Sequence, residues 1–167
     1  MDANFNTALQ LILKFEGGYV NNPADRGGET NKGIIQKVYD GYRKSRNLAI
    51  QSVKNITDDE VKDIYYRNYW LVAKCDKLPA GVDTAHFDAA VNGGAGQAAK
   101  FLQRAVGVNA DGVIGDTTLA KVNSTEPKSL LKAYVGGRID FYIDLAIKDA
   151  SQITFLKGWI RRAISFL

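Results

Sequence analysis

Apolar side chains recur at spacings of three and four residues along most of this chain, and this spacing constrains it to a mainly helical fold. The pattern covers residues 5–16 and 58–70, and Thr57 and Glu60 stand at the spacing of a capping box where the second segment begins. The other helical segments are 83–92, 97–106, 116–122, a long one that opens at Glu126-Pro127, and a last one from Thr154 to the end. Glycine, asparagine and proline after residue 16 predict a loop and a short β-hairpin behind the first helix.

The size of the chain and its cysteine content favour one domain that is held together by its core. A chain of 167 residues is long enough for one well-buried unit, so we expect a single unit over residues 1–167. Cys75 is the only cysteine, which rules out an intrachain disulfide and fits synthesis in a reducing cytoplasm. The formal net charge of +4 favours anionic partners in general: acidic wall polymers, nucleic acid or anionic membranes.

The single histidine, His86, removes several enzyme classes. Zinc amidases and zinc peptidases usually bind their metal through two or three histidines, so we expect no metal site. A Cys75–His86 peptidase is disfavoured because neither residue has an oxyanion or orienting motif around it. We expect His86 to serve in packing or hydrogen bonding. Carboxylate chemistry without a cofactor is favoured by elimination.

Glu16 is the carboxyl group best placed for acid catalysis. Cleavage of a glycosidic bond needs a carboxylic acid that is still protonated near neutral pH. Glu16 is expected at the C-terminal end of the first helix, where the helix dipole disfavours an ionised carboxylate. Phe15 and Tyr19 could remove water from it, and Gly17 and Gly18 leave space for a bulky substrate.

A second carboxylate follows in the glycine-rich segment that should fold back beside Glu16. Asp25 could activate or hold a water, with Thr30 helping to position it, while Glu29 competes with Asp25 for this role. Each residue also has a plainer explanation: a turn residue for Asp25, a strand residue for Thr30 and a solvent-exposed side chain for Glu29. A water held in this way would suit an inverting mechanism.

The residues around these candidates form a longer pattern. Its first part is Phe15-Glu16-Gly17-Gly18-Tyr19, Asn22-Pro23, Asp25, Gly27-Gly28, Thr30 and Gly33-Ile34. Its second part is Phe87-Asp88, Asn92-Gly93, Leu102-Gln103, Asp111-Gly112, Ile114-Gly115, Thr118, Gly158-Trp159 and Arg162. The pattern resembles the signature of glycoside hydrolase family 108. Members similar to this chain are N-acetylmuramidases, some of them known as secretion activator proteins and some encoded in prophages.

The resemblance implies a lysozyme-like fold, mainly α, and a catalytic role for Glu16, which matches the glutamate of the family's EGGY motif. The implied reaction is hydrolysis of the β-1,4 bond from N-acetylmuramic acid to N-acetylglucosamine in peptidoglycan. We predict a catalytic half over residues 1–78 and a helical half over residues 79–167. The order of Glu16, Asp25 and Thr30 is also similar to phage-type lysozymes, although Asp25 and Thr30 are one residue closer together here.

A sugar-binding groove should combine aromatic faces with amide groups. The candidates are Tyr19, Tyr69, Trp70, Phe87 and Asn92. Packing in the core is the more common explanation for Tyr65, Tyr69 and Trp70, because they lie at helical spacing. Asn92 could simply cap the helix that carries Phe87.

The segment around the Asp111-Gly112 turn also resembles the repeat of peptidoglycan-binding domains. The alternative is an internal scaffold turn with no affinity of its own. Two functions of different class therefore stay open: a hydrolase of peptidoglycan, and a non-catalytic wall-binding or secretion-accessory protein. In both, the expected partner is peptidoglycan rather than nucleic acid.

The two ends of the chain bear on its location. The first residues carry an acid where a secretory signal would be basic, so we expect no cleavable signal, synthesis in the cytoplasm and action on the cell wall. In the last helix, Lys157, Arg161 and Arg162 flank an apolar stripe that could lie on an anionic membrane. The same stripe suits packing on the core, with Trp159 as a buried anchor, and we favour packing.

Overall fold

The computed structural model describes residues 3–21 and 28–167, and within them the chain forms eight α-helices and one short β-hairpin. The predicted mainly helical fold, with a hairpin after the first helix, is confirmed. The chain divides into two compact units between Asn68 and Tyr69. None of the described helices is long and apolar enough to cross a membrane.

The first unit is built from short elements. In chain order they are α1 (Ala3–Leu13), β1 (Thr30–Asn31), β2 (Ile34–Ile35), α2 (Gln36–Ser45), a 3-10 turn (Val53–Asn55) and α3 (Asp58–Tyr65). The apolar stripe of α1 is buried as its spacing predicts: Phe5, Ala8, Leu9 and Ile12. The predicted capping box is confirmed, since Thr57 and Glu60 each bond the other's backbone N–H at the start of α3.

The hairpin is closed by a two-residue turn, Lys32-Gly33, in which both residues have a left-handed backbone (φ +50° and +76°). This is the geometry of the tight turns that match the twist of paired strands. On its outer side, Thr30 and Val20 exchange two backbone hydrogen bonds of 2.8 and 2.9 Å. The chain that leaves α1 is therefore tied to the first strand of the hairpin.

The regular elements of the second unit are all helical. Its elements are the end of a π-helical turn (Tyr66–Trp70), a 3-10 turn (Cys75–Lys77), α4 (Val82–Gly93), α5 (Ala95–Ala105), α6 (Asp116–Asn123), α7 (Pro127–Lys148), a second 3-10 turn (Ala150–Gln152) and α8 (Ile153–Ile164). The long helix α7 packs against α4, α5 and α8. It begins as predicted, because the Glu126 carboxylate accepts from the N–H groups of Lys128 and Ser129 and Pro127 occupies the first turn.

Candidate active site

Glu16 lies in the turn that follows α1, and its carboxylate points towards the hairpin. The helix itself ends at Leu13, and the N–H of Phe15 donates to the carbonyl of Ile12 at 2.9 Å in the closing turn. A Cβ atom built on Gly33 would lie 2.8 Å from Oε2 of Glu16 and would overlap the hydroxyl of Tyr65. The carboxylate, the hydroxyl and the hairpin turn therefore meet at one point, which only glycine leaves open.

Tyr65 is a neighbour of the candidate acid that the sequence does not identify. Its side chain is buried in the first unit, and its hydroxyl donates to the carbonyl of Lys32 at 2.9 Å. Tyr65 thus braces the hairpin turn from the side that faces Glu16. The helical spacing of α3 indicates that Tyr65 is buried, but not that it faces a turn 33 residues earlier in the chain.

Thr30 and Glu29 differ in the hydrogen bonds that their side chains make. The Thr30 hydroxyl has no hydrogen-bond partner within residues 3–21 and 28–167. Oε2 of Glu29 accepts a hydrogen bond of 2.5 Å from the hydroxyl of Ser52. Glu29 is half-buried, so the interpretation of this residue as a solvent-exposed side chain is wrong.

The aromatic residues next to Glu16 lie at the surface. Phe15 is 45% exposed and Tyr19 is 37% exposed, and Nζ of Lys54 lies 5.5 Å from the centre of the Tyr19 ring. Glu16 is itself half-buried. Asp25, the predicted second carboxylate, lies outside the described residues.

Of the groove candidates in the second unit, some are buried in its core and others reach its surface. Trp70 and Phe87 are fully buried and pack edge to face, with ring centres 5.2 Å apart. The core interpretation therefore holds for Trp70, and neither Trp70 nor Phe87 offers a face on which a sugar could stack. Tyr69 is half-buried, whereas Asn92 is exposed and its Nδ2 donates to the carbonyl of Asp88 at 2.7 Å.

His86 and Cys75 are buried groups of the second unit. The ring nitrogens of His86 each lie 3.1 Å from an oxygen, Nδ1 from the Tyr134 hydroxyl and Nε2 from the Ala73 carbonyl. Burial lowers the pKa of His86 to about 4 and raises the pKa of the Cys75 thiol. A buried thiol of this kind supplies no thiolate nucleophile, which argues against the cysteine peptidase.

The Asp-Gly turn that resembles peptidoglycan-binding repeats is organised by Gln103. Its Nε2 donates to Oδ1 of Asp111 at 2.7 Å and to the carbonyl of Val113 at 3.0 Å, and its Oε1 accepts from the N–H of Gly112 at 2.8 Å. Gly112 has a φ of +85°, and a Cβ built there would lie 3.1 Å from the carbonyl oxygen of Gly96. The polar groups of this turn therefore mainly serve to hold the turn against α5.

Residues 9–94, which include Glu16, Gly33 and Tyr65, match the glycosyl hydrolase 108 family. The chain belongs to that family. Membership makes it a glycoside hydrolase. Residues 97–164 match a second family, described as a predicted peptidoglycan domain, and peptidoglycan is accordingly the polymer with which this family 108 chain interacts.

The structure of Brucella abortus SagA is similar to this chain along nearly its whole length. The two sequences are 34% identical, and the structures superimpose with a TM-score of 0.72. The match covers 97% of this chain and 94% of that chain. No curated protein sequence matches. The lysozyme-like, mainly helical fold of a family 108 hydrolase is therefore confirmed.

Proposed function

We propose that this family 108 hydrolase is an N-acetylmuramidase, and that Glu16 is its general acid. Glu16 protonates the glycosidic oxygen as the β-1,4 bond from N-acetylmuramic acid to N-acetylglucosamine breaks. The observation that carries this role is the placement of its carboxylate against the Gly33 turn, where the buried Tyr65 fixes the neighbouring backbone. A catalytic acid needs such a rigid support, because small displacements of the acid lower the rate steeply.

Asp25 and Thr30 act on the water in this mechanism. Asp25 is the base, and the Thr30 hydroxyl holds the water on the opposite face of the sugar, which gives inversion at the anomeric carbon. Glu29 is less suited to this role, since Ser52 already donates to its carboxylate. Thr30 is held in register by its backbone bonds to Val20, four residues after Glu16.

Tyr19, Tyr69 and Asn92 contact the glycan in this mechanism. The ring of Tyr19 is exposed and lies three residues after Glu16 in the sequence. Tyr69 is half-buried, and Asn92 is exposed. Rings and amides of this kind suit the hydrophobic faces and acetamido groups of the glycan. In this proposal residues 1–78 form the catalytic half and residues 79–167 the helical half of one hydrolase.

The decisive experiment is mass spectrometry of borohydride-reduced fragments after digestion of purified peptidoglycan. A muramidase releases fragments with reduced N-acetylmuramic acid at the new end, whereas a glucosaminidase releases reduced N-acetylglucosamine. Glu16→Gln should lower kcat by at least about 100-fold, because general acid catalysis contributes about 100- to 10,000-fold. Glu126→Gln is the matched control, since Glu126 only caps α7. Wild-type turnover by Glu16→Gln would refute the assignment.

Three further variants test the residues proposed to act on the water. Asp25→Asn should lower kcat strongly, and Glu29→Gln should lower it much less. Thr30→Val, which keeps the side-chain shape, should lower kcat by about tenfold through loss of one hydrogen bond to the water. A larger loss in Glu29→Gln than in Asp25→Asn would reverse the assignment of the base. Wall binding without any released reducing sugar would favour the non-catalytic protein instead.

A further inference from the structure

Residues 97–164 match a peptidoglycan domain, yet the polar groups of the Asp111-Gly112 turn in this segment are hydrogen-bonded to Gln103. If this unit binds sugar, it therefore needs a surface other than this turn. A cavity of about 220 Å³ is bordered by α4, α5, α7 and α8. It is smaller than the roughly 300–1,000 Å³ of sites for drug-sized ligands, so it suits a single sugar ring rather than a length of glycan.

The walls of this cavity combine aromatic rings with amides. Trp159 and Tyr142 have ring centres 5.2 Å apart and are tilted by 33°, and both line the cavity. Gln97 also lines it, and its amide has no hydrogen-bond partner among the described side chains and backbone groups. Nδ2 of Asn92 is used by the Asp88 carbonyl, which leaves Oδ1 as an acceptor on the wall.

The uncharged lining of the cavity favours a neutral ligand. Within the described part of the chain, no Asp, Glu, Lys, Arg or His lines the cavity. A charged ligand would lose hydration there without gaining a countercharge, which disfavours the carboxylates and ammonium groups of the peptide stem and the carboxylate of unsubstituted muramic acid. A neutral ring with an acetamido group matches both the rings and the amides.

We propose that this cavity is a binding site for the neutral N-acetylhexosamine of the glycan, N-acetylglucosamine. The sugar ring lies against Trp159, and its acetamido group bonds the amides of Gln97 and Asn92. The ligand class rests on the proposed function, since it takes peptidoglycan glycan as the substrate. The existence of the site is inferred only from the residues that line the cavity.

Tryptophan fluorescence of the full-length protein tests the site directly. The chain has only two tryptophans, and Trp70 is fully buried, so a sugar in the cavity should change the emission of Trp159. Titration with N-acetylglucosamine should give a saturable change that is absent in Trp159→Phe. Glucose, which lacks the acetamido group, and glucosamine, which is cationic, should give none.

The Gln97→Ala variant tests the amide contact in a second experiment. Gln10→Ala, on the exposed face of α1, is its matched control. Gln97→Ala should weaken binding by about tenfold, the effect of losing one hydrogen bond in a partly dry site, while Gln10→Ala should bind as the wild type does. Saturation-transfer NMR measures both, and the melting temperature confirms that each variant is folded.

An unchanged emission in the wild type, or wild-type affinity in both Gln97→Ala and Trp159→Phe, would overturn the proposal. These outcomes are distinct from failure of the proposed function, because the monosaccharide is not hydrolysed. A Glu16→Gln protein that keeps full turnover refutes the catalytic assignment and leaves the fluorescence titration unaffected.

Discussion

Arg162 and Asp88 are 74 residues apart in sequence, and Nε of Arg162 donates to Oδ1 of Asp88 at 2.8 Å. The other carboxylate oxygen lies 2.6 Å from Nη2 of Arg138, and both Asp88 and Arg138 are almost completely buried. Asp88 is near the end of the segment that matches the hydrolase family, whereas the two arginines lie in the segment that matches the peptidoglycan domain. The ion pairs therefore join the two matched segments inside one compact unit.

Removal of this carboxylate should strongly destabilise the second unit. Asp88→Ala leaves two guanidinium groups without their countercharge, and loss of one partner from a buried pair costs about 3–5 kcal/mol. We expect a fall in the melting temperature of more than 10 °C, since about 1 kcal/mol corresponds to roughly 4–8 °C in a unit of this size. Circular dichroism measures it. Asp140→Ala, at an exposed acid on α7, should change little; equal melting temperatures for the two variants would contradict the prediction.

Gly33→Ala should damage both stability and activity. The backbone there has a φ of +76°, and the left-handed conformation alone costs about 1–2 kcal/mol for a residue with a Cβ. The new methyl group would also displace the Glu16 carboxylate and the Tyr65 hydroxyl. The control is Gly41→Ala in α2, where no heavy atom lies within 4 Å, and it should stabilise the helix by about 0.5–1 kcal/mol. Turnover by Gly33→Ala at the wild-type rate would show that the turn does not position Glu16.

The single histidine makes stability depend on pH. Burial lowers the pKa of His86 from 6.5 to about 4, so between these values the unfolded chain binds a proton that the folded protein does not. The stabilisation from neutral His86 is fully present above pH 6.5 and is lost as the pH falls towards 4. Thermal unfolding from pH 7.5 to pH 4.5 should show this loss, and His86→Gln should show a shallower one. An imidazole NMR signal that titrates near pH 6.5 would contradict it.

Gln103→Ala should destabilise the second unit through the Asp-Gly turn. The substitution leaves the N–H of Gly112 without its acceptor and releases Asp111 and Val113, which should cost about 1–3 kcal/mol. The urea midpoint measures this cost at an unchanged slope. Asn109→Ala, exposed in the same loop, is the control. If Gln103→Ala keeps its stability and loses peptidoglycan binding, the turn is a binding site rather than a scaffold.

The last helix should serve packing rather than membrane binding. Leu156, Trp159 and Ala163 pack with residues of α7, so removal of residues 154–167 should unfold the second unit. Lys157 and Arg161 are exposed, unlike Arg162, so their double replacement by glutamate should leave the melting temperature unchanged. The intact protein should bind anionic vesicles only weakly. Strong, salt-sensitive vesicle binding that this double variant abolishes would overturn the packing interpretation.

The sequence by itself determined the features that depend on near neighbours in the chain. Helical spacing identifies α1, α3 and α7, and the capping pair Thr57 and Glu60 marks the start of α3. The EGGY motif identifies the family, which the matches confirm. The sequence does not reveal α2, because this short helix is largely polar and Tyr39 is the one buried residue within it.

Only the tertiary structure decided which partner each side chain meets. Periodicity shows that Phe87 lies on an apolar face but not that Trp70 covers it, and it gives no sign that Ser52 binds Glu29. The same holds for the hydroxyl of Tyr65 at the hairpin turn and for Arg162 at Asp88. The physical reason is the same throughout: a buried polar group must find a partner, and the local pattern sets the direction of a side chain without specifying which distant segment folds against it.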